Sequence, residues 1–76
     1  MDEIAKILSQ VRPEAEFSRS TDFFADGLLD SFDMISLISA IENRFSVNID
    51  GLQIVPENFC SVQAIAETII RSGGAL

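Results

Sequence analysis

The sequence predicts an all-α fold, a small four-helix bundle of three main helices plus one short helix, with a long first loop. Three observations lead there. Apolar residues recur at helical spacing in three separate stretches. No stretch shows the alternation and two-residue turn that a β-hairpin needs. A length of 76 residues supports one small core and one domain, 1–76, because so short a chain buries only about 60% of the surface its unfolded form exposes.

The first helix is expected over 2–11, where Ile4, Ile7, Leu8 and Val11 share a face. Pro13 stops it, since the residue before a proline disfavours helical geometry. From Glu14 to Leu29 no periodicity persists. Phe17, Phe23, Phe24, Leu28 and Leu29 are scattered among Ser, Thr, Asp and Gly, which reads as a long loop pinned to the bundle, with a short helical turn near Thr21–Phe24. The second helix is expected over 31–45. Asp30 is its N-cap, and Asp33 completes an acidic variant of the capping box. Leu37, Ile38, Ile41 and Phe45 form its inward stripe, with Met34 at the edge and Ser36, Ser39, Glu42, Asn43 and Arg44 on or near the wet side. Asn48–Gly51 reads as a turn, and 56–59 as a short helix with proline at its first position. Ser61 caps the last helix, 62–71, where Val62, Ile65, Ala66, Ile69 and Ile70 recur on one face. Gly73-Gly74 ends it and leaves 73–76 as a flexible tail.

Composition narrows the function. The net charge of −7 repels phosphates and argues against nucleic acid and anionic membrane surfaces, while favouring partners with basic patches. Histidine, tryptophan and tyrosine are absent, which removes the commonest general base and metal ligand. The single cysteine, Cys60, allows no internal disulfide and suits a reducing compartment; it reads as a small buried hydrophobe. Met1-Asp2-Glu3 and the short amphipathic stretch after it lack the basic region and apolar run of a signal peptide. No segment approaches the ~20 apolar residues of a membrane span. A cytoplasmic protein with no membrane insertion is expected.

The chemistry concentrates at Asp30-Ser31. With Asp30 as the cap, Ser31 falls at the first helical position with its hydroxyl free to point outward. A nucleophilic serine needs a base within hydrogen-bond reach, and carboxylates at 30 and 33 are weak bases that serve poorly. Ser31 is therefore read as a residue modified by another enzyme, not as a catalyst. Phe32 beside it is a large apolar side chain at a helix start, more like a docking surface than a core residue. Gly27 either permits a turn that aims Ser31 outward or only closes a loop turn. The acids at 22, 26, 30 and 33 lack the glycine and bidentate glutamate spacing of a calcium loop and are read as cap and loop residues, so no metal is expected.

The run Asp26-Gly27-Leu28-Leu29-Asp30-Ser31-Phe32-Asp33 resembles the attachment motif of the acyl and peptidyl carrier proteins. Ile35, Leu37, Ile38, Ile41, Glu42 and Phe45 match the pattern of that family's second helix, and Ser61-Val62-Gln63-Ala64-Ile65 resembles the opening of its last one. The resemblance covers about Phe23 to Ile70. It implies 4′-phosphopantetheine, taken from coenzyme A, on Ser31 as a phosphodiester, with an acyl or aminoacyl group held on its thiol as a thioester. The implied partners are a phosphopantetheinyl transferase, an acyl- or aminoacyl-activating ligase and a downstream acyl-using enzyme, served by a monomer. Asp30, Phe32 and Ile35 are where the family meets its transferase, with Leu29 as an apolar edge; Asp33 and Glu42 keep the acidic docking character of the second helix.

Two features depart from the common pattern. Phe32 replaces the usual leucine. Ser36, Ser39 and Asn43 stand where fatty-acid carriers often place acids or apolar contacts, and the lead into Ser31 is closer to stand-alone peptidyl and D-alanyl carriers. The alternative from another class is an unmodified helical interaction module that binds a partner protein through Phe32 and Ile35.

Overall fold

The computed structural model describes residues 2–75. Three α-helices, α1 (Asp2–Val11), α2 (Ser31–Phe45) and α3 (Val62–Arg71), surround one core, and no strand occurs among the described residues. Each has a local cause. The α1 stripe buries Ile4, Ile7 and Leu8, and the chain leaves the helix at Arg12, ahead of Pro13. α2 opens on a closed capping box: Asp33 N–H donates to Asp30 Oδ1 at 2.9 Å, and Asp30 N–H donates to Asp33 Oδ2 at 3.2 Å. It buries Leu37, Ile38 and Ile41 and ends where Ser46 takes a left-handed conformation. α3 opens on Ser61, whose Oγ accepts from Ala64 N–H at 3.1 Å.

The remaining elements are three single 3₁₀ turns, at Phe17–Arg19, Gly51–Gln53 and Pro56–Asn58. The short helix expected over 56–59 is thus one 3₁₀ turn. Pro56 starts it, but Asn58 ties it sideways instead of propagating it: its Nδ2 donates to Gln53 O at 2.7 Å and its carbonyl accepts from the buried Thr68 hydroxyl at 3.1 Å. The turn expected near Thr21–Phe24 is present slightly later, as one α-turn in which Asp26 N–H donates to Asp22 O at 3.0 Å. Asp22 Oδ1 caps it, accepting from the N–H groups of Phe24 and Ala25, each at 3.1 Å.

The long loop is pinned by its own apolar residues. Phe23 is fully buried and meets Phe17 edge-on, with ring centroids 4.9 Å apart. Its N–H donates to Cys60 O at 2.7 Å, and its carbonyl accepts from Leu28 and Leu29. Gly27, at φ +73°, turns the chain back between Phe23 and these leucines, a conformation that a side chain would strain. Phe59 is buried, while Phe24 and Phe45 pack half-buried on the core.

One expectation fails at the end of α3. Ile70 is 58% exposed; in a ten-residue helix whose stripe is already filled by Ile65, Ala66 and Ile69, it falls on the outer side. Gly73 and Gly74 end the helix by donating back to the carbonyls of Ile70 and Ile69 at 3.0 and 2.9 Å. Gly74 lies so close to Ile69 and Val47 that an added Cβ would come within 2.6 and 2.9 Å of their side chains. Leu76 lies outside the described residues.

Candidate functional site

Ser31 is exposed at the first position of α2, a helix of 15 residues. The positive end of the helix dipole and its free N–H groups favour an anion there, so the serine suits a phosphodiester. Neither neighbouring carboxylate is free to act as a base. Asp30 is bound to Asp33 N–H, which is the main reason its carboxyl sits below the ordinary aspartate range. The Asp33 side chain is only 16% exposed, and its Oδ2 accepts both Asp30 N–H and the Arg12 guanidinium, the latter at 2.6 Å. Ser31 thus stands on a braced helix start, with no partner among the described residues that would take its proton.

The side chains around it divide sharply. Phe32 is 83% exposed and Ile35 is 63% exposed; three residues apart, they lie on one side of the first turns of α2. Leu29 is the opposite, 3% exposed and part of the core. Its expected place on the docking edge is corrected: the loop folds back on Phe23 and carries Leu29 inward. Glu42, also expected to face partners, is half-buried and accepts Ile49 N–H at 3.0 Å, so it clasps the chain leaving α2. Asp33 is likewise occupied within the fold. Cys60 is half-buried, not a fully buried core residue; its Sγ donates to Glu57 O at 3.4 Å.

Several features escaped the sequence reading. Leu52 is 86% exposed on the 3₁₀ turn after Asp50, and Ile54 is on the surface nearby in the chain. An apolar residue directly after the Asp50-Gly51 turn was a usable signal. Arg12 was overlooked because its partner lies 21 positions away, beyond any helical spacing. The acids that suggested a calcium loop are spent locally: Asp22 caps its turn and Asp26 accepts from the Ser20 hydroxyl at 2.6 Å. Among the described residues no cluster of three or more potential metal ligands forms, and no helix is long and apolar enough to cross a membrane.

Comparison with known proteins agrees with this geometry. The family described as "Phosphopantetheine attachment site" matches residues 1–69. The chain is similar to the lincomycin biosynthesis protein LmbN of Streptomyces lincolnensis, 35% identical over 74 residues, covering 93% of this chain and 26% of that protein. It is also similar to the D-alanyl carrier protein of Bacillus velezensis, 39% identical over 49 residues, covering 62% of this chain and 63% of that one. The chain therefore spans about a quarter of the first relative and just under two thirds of the second. No solved structure matches at comparable significance. An exposed serine on a braced helix start, without a base, inside a match that covers nearly the whole chain, has one consistent reading: the chain belongs to the phosphopantetheine-attachment family of carrier proteins, which are not themselves catalysts and bear 4′-phosphopantetheine covalently on a serine.

Proposed function

We propose that Ser31 is the serine that carries 4′-phosphopantetheine, and that the chain is a single carrier unit, working as a monomer in the cytoplasm. When attached, the group supplies a flexible arm ending in a thiol that holds an acyl or aminoacyl cargo as a thioester. The carrier moves that cargo from an activating ligase to downstream enzymes. The observation that carries this reading is the exposed Ser31 at the head of α2, with Phe32 and Ile35 bare beside it. The 3₁₀ turn at Pro56–Asn58 stands for the short helix of a four-helix carrier bundle. Aminoacyl cargo is favoured by the Asp26-Gly27-Leu28-Leu29-Asp30-Ser31 lead and by likeness to a protein named as a D-alanyl carrier.

Docking falls to Asp30, Phe32 and Ile35, since Leu29, Asp33 and Glu42 are engaged within the fold. An exposed apolar pair beside an acidic cap suits brief contacts, in which charge speeds encounter and a small apolar area lets the partner leave. Intact-protein mass after incubation with coenzyme A, magnesium and a broad-specificity phosphopantetheinyl transferase tests the assignment. The parent gains one phosphopantetheine and Ser31→Ala gains none. A folded parent that gains nothing would overturn it and leave Phe32 and Ile35 as the anchors of an unmodified interaction module.

A further inference from the structure

Arg12 lies at the end of α1, yet its guanidinium reaches the start of α2. Nη1 donates to Asp33 Oδ2 at 2.6 Å, and Nε donates to Glu14 Oε1 at 2.8 Å, so the planar group is held from two sides. The oxygen it grips is the one that also accepts Asp30 N–H and closes the capping box. Ser31 and Phe32 are the two positions that the box encloses between Asp30 and Asp33. We propose that Arg12 is a positioning residue for the modification of Ser31, fixing the Asp33 carboxylate so that the capping box holds the serine backbone in place.

This inference rests on the assignment of Ser31 as the attachment residue. In the loading step Ser31 Oγ forms a bond to the pantetheine-side phosphorus of coenzyme A, and the diphosphate P–O bond breaks. Adenosine 3′,5′-bisphosphate leaves, and the hydroxyl proton passes to a base of the transferase, because this chain offers none. Such a displacement depends on where the oxygen stands, and small misplacements of a reacting group are costly in rate. Without Arg12, a carboxylate that is mostly shielded has lost its counter-charge and gains by swinging out to water. Asp30 N–H then loses its acceptor and the first turn loosens. Ile35, beyond the capping box, stays where it is, and of the exposed apolar pair only Phe32 shares the loosened turn with Ser31. The defect therefore belongs to the chemical step more than to docking.

The experiment is a steady-state loading assay on Arg12→Met, Asp33→Ala and the double variant, far below their unfolding temperatures, with the parent alongside. Parent loading checks the Ser31 assignment separately: if the parent does not load, that assignment fails before Arg12 is in question. With a loading parent, Arg12→Met lowers kcat about three- to tenfold and leaves KM within about twofold, the pattern of a displaced reacting atom. Asp33→Ala, which leaves Asp30 N–H without an acceptor, gives a similar loss, and the double variant is no worse than the poorer single one, as expected for residues that act through one contact. Arg12→Lys recovers part of the rate. Unchanged kcat in Arg12→Met would overturn the proposal, and so would losses that simply add, since Asp33 would then be meeting the transferase directly.

Discussion

The antiparallel pair α1–α2 is closed by an arginine at each end, and the two closures differ in what their carboxylates hold. At the end remote from Ser31, Arg44 Nε meets Glu3 Oε2 at 2.9 Å, with both side chains well exposed and Lys6 4.0 Å from the same glutamate. At the Ser31 end, Arg12 meets Asp33 with 33% and 16% of the side chains exposed, and Asp33 also closes the helix cap. The first pair joins two surfaces that the core already holds together. The second connects the end of one helix to the opening geometry of the next. Identical ion-pair chemistry thus has local consequences at one end and reaches the functional serine at the other.

The contrast is broken most severely through the apolar residues beneath it. Leu29→Ala, next to the site but buried, costs about 2–4 kcal/mol, measured by urea unfolding. At the far end Gly74→Ala forces a Cβ against Ile69 and Val47 and costs about 1–3 kcal/mol in the same assay. A Leu29→Ala variant as stable as the parent would show that the loop does not pack where Phe23 pulls it.

Acid separates the two ends further. The Arg44 hydrogen bond holds Glu3 below the ordinary glutamate range, and the Asp33 backbone N–H holds Asp30 below the aspartate one. A depressed carboxyl contributes stability that is present above its unfolded value, near pH 4, and lost as pH falls through the lower folded one. Asp30→Asn keeps the cap through its amide oxygen and removes its share of that loss, so its thermal midpoint falls less than the parent's between pH 7 and pH 3. Equal falls would assign the acid sensitivity elsewhere. The clamps differ in salt as well. The small drop in midpoint from Arg44→Met disappears at about 1 M salt, whereas the drop from Arg12→Met persists in part because that pair is shielded. The smallest effect is on the site surface: Phe32→Ala changes stability by less than about 0.5 kcal/mol and leaves the circular dichroism intact while raising the KM of the loading enzyme. A loss of helix would mean that Phe32 supports the fold.

The helices, their caps and the place of the serine are legible in the chain alone, because each rests on contacts within a few residues. Asp30 and Asp33 close a box across one turn, Ser61 caps across another, and the apolar spacing of Ile4, Ile7 and Leu8 or Leu37, Ile38 and Ile41 marks the buried stripes. The exposure of Phe32 was legible for the same reason, since its place at the helix mouth leaves it no neighbour of its own stripe. Packing between distant segments settles the rest: Leu29 goes into the core, Glu42 clasps the chain at Ile49, Ile70 and Leu52 lie bare, and Arg12 crosses to Asp33. Leu28 and Leu29, adjacent and chemically alike, are told apart by how a loop with no period of its own wraps around Phe23. Arg12 and Asp33 are joined by the crossing of two helices whose relative placement is set by the shared core, and that placement leaves no trace in the spacing of the residues it brings together.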